Sequence, residues 1–134
     1  MIDGQPLFAG TAEGMALILD APLSFWGGID PSTGRIVDVR HPQHGQSVTD
    51  RILIMPTGRG SSSSSTILAE ATRLRTAPAA IIVAVADPVL VVGAIVADRL
   101  YGIRVPIIRA DVAGHIADGE RVRVHSDGRV VLVC

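Results

Sequence analysis

The segment Pro56-Thr57-Gly58-Arg59-Gly60-Ser61-Ser62-Ser63-Ser64-Ser65-Thr66 gathers the residues of this chain best suited to chemistry: a guanidinium, glycines and a run of hydroxyls. The apolar run before it, Arg51 to Met55, predicts a buried strand, and Ile67 to Leu74 predicts a helix. A glycine-rich turn between a strand and a helix presents hydroxyls and unbonded backbone N–H groups at a helix N-terminus, where negative charge is stabilised. Two tasks fit: holding an anionic group, or easing the loss of a proton from a serine. The helix dipole supplies only about 0.3–1 kcal/mol toward the second. Even with Arg59 beside it, a serine becomes a base only in a closed site that excludes water. The segment is not a nucleotide phosphate loop, because it lacks the Gly-Lys-Ser/Thr ending and the spacing. A flexible surface loop is the plainer reading, but the run is short and lies between two core elements.

A second unusual segment is Ser24-Phe25-Trp26-Gly27-Gly28, which holds the chain's one Trp and one of its two Phe. Aromatics in a glycine loop either fold back as a plug on the core or stay outside to dock a partner or line a substrate cavity. The histidines, His41, His44, His115 and His125, lack metal-ligand spacing, so no metal site is expected in this chain. Asp87 and Asp98 are explained by helix capping and an exposed helix face, and Asp30 by a turn before Pro31. No Ser–His–Asp triad can be read from the sequence, so hydrolysis has no specific support.

These segments need a scaffold. Met15 to Leu19, Arg35 to Val39, Arg51 to Met55, Ala80 to Val85 and Val105 to Ile108 read as strands. The glycine- and alanine-rich opening, Leu7 to Gly14, gives no clear element. Proline, Gly-Gly and Asp-Pro punctuation predicts irregular structure over Ala21 to Pro31. Ser62 or Ser63 is a candidate cap for a helix running to about Leu74. Asp87-Pro88 opens a second helix that runs to about Tyr101 with Gly102 as its C-cap. Val122 and Val124, a Ser126-Asp127-Gly128 turn and Val130 to Val133 predict a β-hairpin. Alternating strands and helices in the middle imply parallel pairing with right-handed crossovers, and the flanking strands add antiparallel pairs. The expected class is α/β: a layered β/β/α sandwich forming a single domain over 1–134.

Composition agrees. With 48% apolar, 19% charged and 3% aromatic residues, the chain is a folding sequence whose core is built from Val, Ile, Leu and Ala. A net charge of −1 speaks against a nucleic-acid partner. No apolar run reaches the about 20 residues that span a bilayer. The single Cys, Cys134, excludes internal disulfides and a thiolate-ligated metal cluster. The expectation is a cytoplasmic protein.

Taken together, Pro22-Leu23-Ser24-Phe25-Trp26-Gly27-Gly28-Ile29-Asp30, with Thr33-Gly34 after it, resembles the signature of the aconitase X small subunit. Gly58-Arg59-Gly60-Ser61-Ser62-Ser63 falls where that family has its glycine–serine loop. Ala77-Pro78-Ala79-Ala80-Ile81, Asp87-Pro88-Val89-Leu90 and Gly93-Ala94-Ile95 extend the resemblance over nearly the whole chain, from about Gly10 to Val133. It implies a swivelling β/β/α domain that works with a separate or fused larger subunit, whose cysteines hold an iron–sulfur cluster or metal. It implies a hydro-lyase in which this chain, binding no cofactor alone, supplies a serine base: Ser61, with Ser62 as fallback. On the family's loop pattern, the serine-rich run favours dehydration of cis-3-hydroxy-L-proline to Δ1-pyrroline-2-carboxylate over dehydration of (R)-5-phosphomevalonate. Under that implication, Ser61 removes the proton next to the substrate carboxylate. Arg59, Gly60, Ser62 and Ser63 hold the alkoxide or the carboxylate, and Ser24, Trp26, Gly27 and Gly28 line the far wall or the subunit seam. A non-catalytic swivelling interaction module is the competing class. An isolated small subunit should expose an apolar face and be able to self-associate.

Overall fold

The computed structural model describes residues 1–58 and 62–133. Its elements in chain order are β1 (Ile2–Asp3), β2 (Gln5–Phe8), β3 (Ala12–Ile18), the single turn α1 (Phe25–Gly28), β4 (Ile29–Asp30), β5 (Arg35–Ile36), β6 (Ile52–Met55), α2 (Ser64–Arg73), β7 (Ala80–Val83), α3 (Pro88–Tyr101), β8 (Ile107–Arg109), β9 (Arg121–Val124) and β10 (Arg129–Leu132). The main sheet has the order β1-β10-β9-β3-β6-β7-β8-β2. Strands β3, β6, β7 and β8 run parallel, while β9, β10 and the two edge strands pair antiparallel.

The two edges of this sheet, β1 and β2, are consecutive in the chain, with only Gly4 between them. The sheet must therefore curl almost into a barrel. Gly4 makes the corner possible: its N–H donates to Gly128 O at 3.0 Å. A Cβ there would lie 2.5 Å from Ile108 Cγ2 and 2.7 Å from Gly128 O.

Strand alternation then sorts the apolar residues into two cores. Ile52 and Ile54 of β6 and Ala80 and Ile82 of β7 point inside the curl, where they meet Ala16, Ile108, Val122, Val124 and Val130. Leu53, Met55, Ile81 and Val83 point the other way, toward Leu68 and Ala71 of α2 and Leu90 and Ala94 of α3. Strands covered on both faces read as continuous apolar runs rather than alternating ones. The two halves of the curled sheet and the helix pair make the three layers expected of the swivelling β/β/α class.

Helix α3 has the predicted bounds. Asp87 Oδ1 accepts from Val89 N at 3.0 Å, and Gly102 takes the left-handed conformation at φ 66°. It lies close against α2 because Gly93 has no side chain: a Cβ would sit 2.8 Å from Ser65 O. The C-terminal hairpin also forms as read. Several readings differ. Strand β5 covers only Arg35–Ile36 rather than Arg35 to Val39, and β7 ends at Val83 rather than Val85. The opening segment is not elementless: β2 spans Gln5–Phe8 and β3 begins at Ala12. As an edge strand, β2 tolerates Pro6 and leaves no strong apolar signal. Strand β8 is Ile107–Arg109 rather than Val105 to Ile108. Within Ala21 to Pro31, expected to be irregular, α1 and β4 form. Trp26 (ψ 116°) and Gly27 (φ 78°) nevertheless depart from helical geometry inside that turn.

Candidate active site

Strands β6 and β7 run parallel, so their C-terminal ends open on the same side of the sheet. The chain leaving β6 is gripped from two directions. Ala84 N and Val85 N both donate to Pro56 O, at 3.1 and 2.9 Å, and Gly58 forms a parallel bridge with Leu23. The backbone at Gly58 also passes against the carboxylate that caps α3: a Cβ there would lie 1.8 Å from Asp87 Oδ2. Only glycine fits while Asp87 keeps its cap.

Arg59, Gly60 and Ser61, the centre of the expected chemistry, lie outside the described residues. The chain resumes at Ser62, which is exposed and whose carbonyl accepts from Ser65 N at 3.3 Å and Ser65 Oγ at 2.8 Å. Ser63 occupies the N-cap position of α2 in helical conformation, at φ −64° and ψ −16°. Its carbonyl accepts from Thr66 N and Ile67 N.

The first helical residue brings the two candidate segments together. Ser64 is 4% exposed. Trp26 N–H donates to Ser64 Oγ at 3.2 Å, the Ser24 and Ser64 hydroxyls lie 3.3 Å apart, and Ser24 Oγ donates to Trp26 O at 2.9 Å. The two rings of the aromatic loop go opposite ways. Phe25 is the plug, 1% exposed in the core under the helices, while Trp26 stays 58% exposed. Gly27 is needed for its left-handed φ of 78°, since a Cβ there would meet nothing within 4 Å. Gly28 is buried against Leu23.

Behind this junction, His41 is a structural residue. Its Nδ1 accepts from Gln43 N at 3.0 Å, which leaves the proton on Nε2 to be donated to Ala21 O at 3.0 Å. Gln43 completes the clamp by donating from Nε2 to Asp20 Oδ2 and accepting from Asp20 N. Asp30 closes its turn as expected. The Ser32 hydroxyl and backbone N–H both donate to it and hold its carboxyl below the usual carboxylate range. A cavity of about 440 Å³ opens at the same end of the sheet, lined by residues including Leu19, Met55, Pro56, Ala84, Asp111 and Ile116. Among the described residues, no three of His, Cys, Asp and Glu come together as a metal site, and no helix is long and apolar enough to cross a membrane.

Ser24 and Trp26 are thus brought to the start of α2, while Gly27 and Gly28 continue the same loop. Sequence reasoning passed over Ser64 and the contact of Asp87 with Gly58. For Ser64 a signal existed. It sits four residues before Leu68, which is fully buried, and residues four apart share a helix face.

A curled mixed sheet with two helices on one flank, and a serine-rich helix start joined to an aromatic glycine loop, define a swivel domain, and the chain belongs to the aconitase X swivel domain family, whose profile matches residues 1–133. It is 36% identical to the phosphomevalonate dehydratase small subunit of Methanothermobacter thermautotrophicus, over 94% of each chain. It is 38% identical to the cis-3-hydroxy-L-proline dehydratase of Pseudomonas aeruginosa, over 95% of this chain but only 23% of that longer protein. Among solved structures, the crystal structure of Thermococcus kodakaraensis aconitase X in its holo-form superposes with a TM-score of 0.90 at 35% identity, covering 99% of this chain and 98% of that one.

Proposed function

We propose that this chain is the small subunit of an aconitase-X-type dehydratase, that it acts with a larger partner chain, and that its substrate is (R)-5-phosphomevalonate. The observation that carries this reading is the meeting of the two motif segments at the start of α2 in a chain that matches the family from residue 1 to residue 133. The substrate rests on relatives called phosphomevalonate dehydratase small subunits, which align with this chain along almost their whole length, at 36% identity in M. thermautotrophicus and 34% in Thermococcus onnurineus. A second reading, cis-3-hydroxy-L-proline, is favoured by the serine run and by the 38% identity to the P. aeruginosa enzyme.

Both substrates carry a carboxylate, a proton on the carbon next to it and a hydroxyl one carbon further on. In the proposed reaction Ser61 takes that proton, and the hydroxyl leaves as water. Arg59 pairs with the carboxylate through its planar fork, while the N-terminal end of α2 favours negative charge. Among this chain's described residues, no three of His, Cys, Asp and Glu come together as a metal centre. A metal or iron–sulfur cluster on the partner would act as a Lewis acid on the departing hydroxyl.

The partner has a surface to use. Helix α3 exposes Val92 (50%), Ile95, Val96, Leu100 (66%) and Tyr101, although Leu90, Gly93, Ala94 and Ala97 already face the core. A helix apolar on nearly every side is normally covered. The test is co-expression with an aconitase-X-type large subunit from the same genome, followed by assay of water loss from both acids. Turnover of phosphomevalonate that falls about 10²–10⁴-fold in Ser61→Ala, with the complex intact, supports the reading. Turnover of hydroxyproline alone selects the second reading. Near-wild-type activity in Ser61→Ala moves the base elsewhere. No complex and no turnover with either acid leaves a non-catalytic swivelling module.

A further inference from the structure

We propose that Ser64 is a positioning residue: its buried hydroxyl, with that of Ser24, locks the Trp26 peptide onto the first turn of α2, so that the exposed indole is held at a fixed place beside that turn. The kinetic consequence of this proposal rests on the dehydratase reading above; the positioning does not.

Counting protons orders the contacts. A serine hydroxyl has one hydrogen to donate. Ser24 gives its hydrogen to Trp26 O at 2.9 Å, so between the two hydroxyls, 3.3 Å apart, Ser64 is the donor and Ser24 the acceptor. Trp26 N–H then donates to Ser64 Oγ at 3.2 Å. The result is a closed ring: Trp26 N–H to Ser64, Ser64 to Ser24, and Ser24 back to Trp26 C=O. Both polar groups of one peptide-bearing residue are held by two side chains from different parts of the chain.

This is not how a serine stabilises its own helix. A capping serine accepts from an N–H two or three residues further along. Ser64 instead accepts from a residue 38 positions earlier. Its removal should leave α2 wound, because Ser62 O and Ser63 O keep their bonds to Ser65, Thr66 and Ile67. What it releases is the loop. On either side of Trp26 the loop is anchored by other means: Phe25 is buried in the core, and Gly28 O accepts from Val37 N at 2.9 Å. Between those anchors the hydroxyl ring determines where Trp26 sits. A side chain left 58% exposed at that point has little packing of its own to hold it.

The chain contains one Trp, so its intrinsic fluorescence reports on Trp26 alone. In the full chain, Ser64→Ala is expected to raise acrylamide quenching and lower the fluorescence anisotropy while the circular dichroism melt stays cooperative. Ser64→Thr, which keeps the hydroxyl, is expected to restore both. Should Ser64→Ala not fold, Ser24→Ala opens the same ring from its less buried member and is expected to give the same optical change. In the complex with the large subunit, each alanine variant is expected to lower kcat/KM by about 10-fold to 100-fold, mainly through KM. The double variant should fall no further than the worse single one, as coupled residues do. Unchanged Trp26 fluorescence in both single variants, or kinetic losses that simply multiply, would overturn the proposal. If the wild-type complex dehydrates neither acid, the proposed function fails, and the fluorescence experiment still decides whether Ser64 positions Trp26.

Discussion

Helices α2 and α3 follow adjacent parallel strands and begin on the same side of the sheet, yet they begin differently. Helix α3 is closed by its own residues. Asp87, in extended conformation, accepts from Val89 N, and Pro88 takes a position whose N–H no helix could use. Helix α2 opens on Ser63, already in helical conformation and without a side-chain cap hydrogen bond, and its Ser64 hydroxyl is directed to another loop. One start is arranged to stabilise a helix. The other is arranged to join two segments. The difference separates two topologically similar helix ends, one closed by its own cap and one tied to a distant loop, and Gly58 passes against the carboxylate that caps α3.

Pushing the two helix starts apart should have the largest effect. In Gly93→Ala, the new methyl meets Ser65 O at 2.8 Å and Ser65 Cα at 3.1 Å. Backbone must move, so a loss of about 1–3 kcal/mol is expected in urea unfolding, with loss of dehydration in the complex. Gly58→Ala strikes the contact between the two starts. Its methyl displaces Asp87 from its cap, so the variant should lose about as much as Asp87→Ala does, about 0.5–2 kcal/mol. Combining the two should cost less than their sum, and an additive result in the melt would show that the loop and the cap are independent. On the outer face of α3, Val92→Glu and Leu100→Glu should leave the melt of the isolated chain nearly unchanged, since both side chains are exposed. They should weaken co-purification with the large subunit, and unimpaired co-purification would remove this face from the partner surface.

The smallest effect is expected far from both helix starts. Glu13 on β3 pairs with Arg121 at 2.6 Å and Arg123 at 2.8 Å on β9. Hydrogen bonds from Arg121 and then Arg123 hold its carboxyl below the ordinary 4.5. A depressed carboxylate pKa stabilises the fold above the unfolded-state value, and that stabilisation is lost as pH falls through the folded-state value. Glu13→Gln should therefore lower Tm slightly at neutral pH, with the difference from wild type shrinking below pH 4.5. A difference that does not change with pH would mean the pair does not contribute through its charge.

The parts of the fold legible in the sequence were those with local causes. Asp87-Pro88 and Gly102 mark the two ends of α3, because capping and left-handed glycine are chemistry of a few neighbouring positions. The β9–β10 hairpin announced itself by alternation and a Ser-Asp-Gly turn. Strand β2 did not, because an edge strand held by pairing with β8 needs no strong apolar pattern of its own. Ser24, Trp26, Gly27 and Gly28 were singled out by type and spacing, and the structure joins the first two to α2. The partner in that junction, Ser64, was hidden inside a run of identical residues, where only the phase of the helix face separates a buried hydroxyl from exposed ones.

The sequence by itself determined the α/β alternation, the helix ends, the apolar strands and the family resemblance, because each is written in neighbouring residues and their periodicity. The tertiary structure alone decided that the sheet curls until β1 and β2 form its opposite edges. It also decided that Phe25 goes in while Trp26 stays out, and that Ser64 faces Ser24 across 40 positions of chain. Those outcomes depend on long-range pairing and packing, where the lowest free energy belongs to the assembled molecule and to no single segment of it.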